Sequence, residues 1–254
     1  MGGHYDSIAE EYENAWFYGD YTTEYGAQMT KLVLGALDLS PDAVFADVGG
    51  GTGAFTLHLK KQAALKSRPF LVEPSALLKQ ASDDELVPVN ADAVAWAGEA
   101  GGTAMVDAIL LKEVVHHLGT GDQVVEAFAG LRSRLRKGGR CLVVTRPNKV
   151  PAYPFFRGAR DEWERCATPA STCVDAMRAA GFASVTVSTN PVPVDIGKRT
   201  WWAMVRRRFW SNFATFSDEQ LEAGLHELED LYPGDADATR IRFDDQIVLI
   251  LAVA

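Results

Sequence analysis

Cationic charge is what this chain is short of. Against 34 Asp and Glu it sets 25 Lys and Arg, a formal net charge of −9 over 254 residues. It therefore lacks the excess of cations with which a protein tracks phosphates, and nucleic acid is not an expected partner. Cysteine is scarce too. Cys141, Cys166 and Cys173 are too few for a disulfide framework and too scattered for a zinc knuckle, so no structural metal is expected. No apolar run approaches the ~18 residues of a membrane helix, and neither end reads as a secretory signal. A soluble, cytoplasmic protein with no membrane partner is the expectation. A Ser-His-Asp or Cys-His arrangement for covalent catalysis is also missing.

What is present is a regular alternation. Apolar strands at Val44–Val48, Phe70–Val72, Leu86–Asn90, Ala108–Leu111 and Arg140–Thr145 alternate with amphipathic segments, and right-handed crossovers make such units a doubly wound parallel sheet. Lys137-Gly138-Gly139 reads as a helix stop. Pro147 to Pro169 reads as a long loop, followed by a helix over Ser171–Ala180 and a strand over Ser184–Ser188. The β-branched run Asp245–Val253 closes the chain as a strand. Between these last strands lies an insertion with helices expected over Lys198–Phe213 and Ser217–Tyr232, and residues 4–37 read as helical, the later segment running from Tyr25 to Leu37. The length suits a single domain: a helical cap over 1–40, a sheet core over 41–190 and 241–254, and a helical cap insertion over 191–240.

The chemistry concentrates at the ends of the strands. Val44 to Gly53 reads as a buried strand, an acid and a glycine-rich turn opening a helix, which is how such sheets build nucleotide pockets. Glycine suits the turn because its backbone angles penalise a Cβ and because a ligand must approach the main chain closely. Gly49-x-Gly51-x-x-Ala54 also fits the dinucleotide fingerprint, which leaves an NAD(P)-dependent oxidoreductase open. Asp47 favours another ligand, since a carboxylate there repels a diphosphate and welcomes an ammonium group. Glu73 follows the second strand where an acid meets ribose hydroxyls. Asp92 follows the third strand, and Leu111-Lys112-Glu113-Val114-Val115-His116-His117-Leu118 ends the fourth.

Asp47-x-Gly49-x-Gly51-x-Gly53 resembles motif I of the class I S-adenosylmethionine-dependent methyltransferases, the small-molecule type 11, 12 and 25 groups. The Glu113–Leu118 segment and the tyrosine-bearing His4–Tyr12 segment resemble the same family. The resemblance implies an α/β, Rossmann-like, doubly wound seven-stranded sheet with its last strand antiparallel. It implies S-adenosyl-L-methionine as cofactor, S-adenosyl-L-homocysteine as product, and cofactor contacts from Asp47, Gly49, Gly51, Gly53, Glu73, Asp92, Lys112 and Glu113, with Asp92 on the adenine amino group. His117 and His116 are then the candidates for a general base. Tyr12 and Trp16 of the cap are expected at the substrate. So are Tyr153 and Arg157 of the long loop, and Trp202, Arg206 and Arg207 of the insertion, where arginines stand among aromatic faces and suggest an anionic small molecule. Oxygen, nitrogen and sulfur acceptors stay open, as do a monomer or a homodimer, and a non-catalytic protein that only binds the cofactor.

Overall fold

The computed structural model describes residues 21, 23–81, 84–98, 105–149 and 153–254. Tyr12 and Trp16 lie outside the described residues. The strands are β1 (Phe45–Val48), β2 (Phe70–Val72), β3 (Val87–Val89), β4 (Val106–Lys112), β5 (Leu135–Thr145), β6 (Ser184–Gly197) and β7 (Arg240–Val253). They form one sheet in the order β3-β2-β1-β4-β5-β7-β6. β1 to β5 pair in parallel, and β7 runs antiparallel between β5 and β6. The doubly wound sheet with an antiparallel last strand is thus the fold.

Side chains alternate across the strands and so divide the core in two. Phe45, Leu110 and Leu142 face one layer, with Met29 and Val33 of α1 (Glu24–Leu37) and Leu59 of α2 (Ala54–Gln62). Ala46, Ile109 and Val143 face the other, with Trp96 of α3 (Ala93–Gly98), Phe128 of α4 (Asp122–Arg134) and Met177 of α6 (Ala170–Ala179). A strand buried on both faces reads as a continuous apolar run. Asp47 interrupts that run and is itself buried, so a reason for it must be sought at the site.

Four segments depart from the sequence-based expectation, the first being Lys137-Gly138-Gly139, which lies inside β5 because α4 already ends at Arg134. The long loop after β5 contains a helix, α5 (Arg157–Cys166). Its inward face is narrow, Ala159 buried and Trp163 partly buried, within a segment dominated by charge and preceded by prolines, so its composition reads as a loop. β6 continues through Pro191 and Pro193 to Gly197, paired with β7 along its whole length. Proline is tolerated there because β6 is the edge strand and the ladder needs no N–H on its outer side. The expected single helix from Lys198 is broken: α7 (Lys198–Arg206) stops before Arg208, whose φ is +54°, and a 3₁₀ turn at Ser211–Phe213 precedes α8 (Asp218–Glu229). Buried Lys198 fastens this insertion, donating to Glu229 Oε2 at 2.5 Å, Tyr232 O at 2.8 Å and Gly234 O at 3.0 Å.

Candidate active site

Every parallel strand from β1 to β5 ends at the same edge of the sheet, and the polar residues gather there. Asp47 Oδ2 accepts a 2.6 Å hydrogen bond from Thr56 Oγ1, whereas Oδ1 is buried with no hydrogen-bond partner. Burial pushes the carboxyl up to about 6, against the Thr56 hydrogen bond and the Lys112 charge. The glycine turn follows. Gly49 has φ +75° and donates its N–H to Val72 O at 2.7 Å, and a Cβ on it would collide with Val114. At Gly51, φ is +60° and a Cβ would meet nothing nearer than Leu77 at 3.6 Å, because that side of the turn is the crevice. Gly53, φ +83°, opens α2 without a side-chain cap, leaving backbone donors at the helix start.

Glu73 and Asp92 are braced by backbone amides. Glu73 Oε2 accepts from Gly51 N at 3.1 Å and Oε1 from Ser75 N at 2.9 Å, which orients the carboxylate and leaves each oxygen a lone pair. Asp92 Oδ1 accepts from Ala95 N at 2.8 Å at the start of α3. Asp47, Gly49, Gly51, Glu73, Asp92, Lys112, Glu113 and His117 all border one crevice of about 560 Å³. The structure therefore brings together the residues that the sequence suggested for a cofactor, except Gly53, which packs against Leu71 and Leu86 behind the turn.

A second cavity of about 170 Å³ adjoins it, with Tyr21, Lys112 and Glu113 common to both. Aromatic side chains contribute to its walls: Tyr21, Tyr25, Trp163, Phe209 and Trp210. His116, Asn212 and Arg146 supply polar surface. His116 Nε2 is buried without a hydrogen-bond partner, and burial pulls the imidazole below its ordinary value, so the ring is neutral at pH 7. Its ring lies 4.0 Å from that of His117. The two histidines thus serve different spaces, His117 the crevice and His116 the second cavity.

Arg146, at the end of β5, does not hold a ligand anion. It donates to Asp245 Oδ1 at 2.8 Å and Oδ2 at 2.7 Å, to Tyr25 OH at 3.2 Å, and pairs with Glu113 Oε1 at 2.7 Å. Tyr25 OH donates in turn to Asp245 Oδ2 at 2.8 Å. Burial would lower the guanidinium, but Asp245 and Glu113 more than offset it and hold it well above its ordinary value. Burial, then Asp245, pushes the Tyr25 phenol well up, so it stays protonated. Glu113 is held by this cluster in a left-handed backbone conformation, φ +57°, that a residue with a Cβ adopts only at a cost. Withdrawal from water pulls Lys112 down, against Glu113, and its ammonium lies 5.3 Å from the Phe55 ring centre.

The residues expected at the substrate from the loop and insertion lie elsewhere. Tyr153 is buried behind the aromatic wall, 6.3 Å from both Trp163 and Trp210. Trp202 donates to Glu229 Oε1 at 3.1 Å within the insertion. Arg206 is engaged by Glu222 at 2.6 Å, Arg157 is exposed near Asp161 at 4.0 Å, and Arg207 is exposed at the end of α7. None of these five borders either cavity. Tyr25, Arg146, Trp163 and Asn212 went unsuggested by the sequence. Arg146 carried a signal, its place after a parallel strand, whereas Asn212 carried none. Among the described residues no cluster of His, Cys, Asp or Glu could hold a metal ion, and no helix is long and apolar enough to cross a membrane.

A seven-stranded Rossmann-like sheet with a reversed last strand, a glycine turn after β1 and acids after β2 and β3 defines the class I methyltransferase fold. Residues 46–143, 98 of the chain's 254, match the methyltransferase domain family. No curated protein matches the sequence. Among solved structures, a candidate methyltransferase from an antibiotic biosynthesis pathway of Anabaena variabilis is 18% identical, covers 90% of this chain and 97% of its own, and superposes with a TM-score of 0.68. Phosphoethanolamine N-methyltransferase 2 of Haemonchus contortus, solved with phosphomonomethylethanolamine and S-adenosylhomocysteine, is 14% identical with a TM-score of 0.60, the match covering 99% of this chain and 59% of that one. The [4+2]-cyclase SpnF is 15% identical with a TM-score of 0.60, over 99% of this chain and 94% of its own. At these identities the likeness is one of fold, and a cyclase shares it.

Proposed function

We propose that this chain transfers a methyl group from S-adenosylmethionine to a heteroatom of a small acceptor seated in the aromatic cavity. One observation carries the reading: Asp47 Oδ1, buried and unpartnered at the glycine turn. A buried carboxylate oxygen there suits an amino-acid ammonium and opposes a diphosphate, which argues against a nicotinamide dinucleotide in the same crevice. Glu73, with a lone pair left on each oxygen, suits a ribose diol, and Asp92 Oδ2 suits an exocyclic amine. The bound cofactor would supply an electrophilic methyl group on a sulfonium sulfur, so no covalent enzyme intermediate is needed.

The chain's own residues then have three tasks. Glu113, clamped by Arg146, keeps a carboxylate where crevice and cavity meet, a charge that suits a cationic methyl donor. Tyr21, Tyr25, Trp163 and Trp210 enclose the acceptor and exclude water. His116, neutral at pH 7, takes the proton that an O–H or N–H acceptor must lose. The test is calorimetric titration with S-adenosylhomocysteine and NADH. The homocysteine ligand should bind and NADH should not, and Asp47→Asn should weaken the former by at least about tenfold, the worth of one charge-assisted hydrogen bond. Binding of NADH alone would overturn the reading.

A further inference from the structure

Asn212 is 6% exposed, sits in the 3₁₀ turn between α7 and α8, and borders the aromatic cavity. Its Nδ2 donates to Ala159 O at 3.1 Å, which fixes the amide's orientation and turns a pure acceptor, Oδ1, into the atom left over. That oxygen is buried and makes no hydrogen bond. An unpaired buried acceptor is costly to keep, and in a native cavity it marks the position of a missing donor.

The charges around the cavity point the same way. Where crevice and cavity meet, Lys112 and Arg146 are surrounded by three carboxylates, Asp47, Glu113 and Asp245. Arg146 is consumed by Asp245 and Glu113. The insertion's arginines answer to its acids, Arg206 to Glu222 and Arg208 to Asp218. An anion entering the cavity would meet Lys112 and the hydroxyls of Thr145, Thr168 and Ser211, but within a set of three carboxylates against two cations. The size of the space favours one ring, since an apolar cavity of ~150 Å³ accommodates benzene and this one is about 170 Å³.

We infer that the acceptor substrate is an uncharged, single-ring aromatic bearing, besides the heteroatom that gives its proton to His116, an O–H or N–H donor, and that Asn212 selects it by accepting a hydrogen bond from that donor. This rests on the methyltransferase reading and replaces the anionic substrate suggested by the arginine-rich sequence. The experiment uses the whole chain saturated with S-adenosylhomocysteine and measures dissociation constants by saturation-transfer NMR for three ring-sized probes. Phenol carries the donor, fluorobenzene has its shape without the donor, and benzoate is the anion. Phenol should bind about tenfold more tightly than fluorobenzene, with benzoate weakest. Asn212→Leu should bring phenol down to the level of fluorobenzene without changing the affinity for S-adenosylhomocysteine. Should Asn212→Leu fail to fold, the ranking on the unaltered chain decides alone. Equal binding of phenol and fluorobenzene, no binding of any probe, or tightest binding of benzoate overturns the inference while the methyltransferase reading stands. Failure of S-adenosylhomocysteine itself to bind overturns both.

Discussion

His116 and His117 are neighbours in sequence, with rings 4.0 Å apart, yet border different spaces. His117 is exposed at the crevice, while His116 has a buried, unpartnered Nε2 beside the second cavity. A base must be neutral to accept a proton, and burial keeps His116 neutral below the ordinary histidine value of 6.5. Once an acceptor is in hand, kcat/KM should rise with pH to a plateau whose midpoint lies below 6.5. His116→Gln should lower kcat by roughly 10²–10⁴ and abolish that limb, with cofactor affinity intact. A variant that keeps both rate and limb would remove His116 from proton transfer. The doublet itself was legible in the sequence, but which histidine faces which space was not. That depends on the 3₁₀ turn Val115–His117, which holds the two rings side by side at the boundary between the spaces.

At the scale of elements, four segments meet in one buried cluster: Arg146 ends β5, Asp245 lies in β7, Tyr25 opens α1 and Glu113 follows β4. Removing one member of a buried ion pair leaves the other charge unpaired, which costs more than the pair itself contributes. Asp245→Asn should therefore destabilise the fold by about 3–5 kcal/mol, and Tyr25→Phe by about 1–2 kcal/mol, read as lower urea midpoints at constant m-value. A loss below about 1 kcal/mol for Asp245→Asn would mean the cluster does not anchor α1 to the sheet. The glycine turn, Glu73 and Asp92 were legible because local rules place them, each following a short apolar strand. Arg146 and Asp245 are 99 residues apart, and no local pattern announces such a pair. A misleading local composition hid α5, whose narrow face of Ala159 and Trp163 is set among charges, and the far half of β6, whose prolines imitate a break. The arginine-rich insertion misled for a related reason. Its cations looked available along the chain and are matched by acids of α8 once the insertion folds.

For the molecule as a whole, the surface pairs Arg206–Glu222, Arg208–Asp218 and Arg240–Asp195 lie largely in water and contribute little each. Asp47 is the titrating group that should tie global stability to the site. Its carboxyl is raised from 3.8 to about 6 in the folded chain. The stabilisation it contributes is therefore complete below about pH 4 and is lost as pH rises through about 6, by at most about 3 kcal/mol. The difference between the unaltered chain and Asp47→Asn isolates this, because the contributions of the other carboxylates cancel. A ligand ammonium on Oδ1 would reverse the sign by favouring the ionised form. Binding of S-adenosylhomocysteine should then release a proton below about pH 6, its dissociation constant rising about tenfold per pH unit on that side and staying flat above. Calorimetry in buffers of different ionisation enthalpy counts the proton directly. An affinity indifferent to pH between about 5 and 7, with no proton released, would mean that Asp47 does not meet the ammonium. The raised carboxyl would then be only a cost of burying an acid in β1.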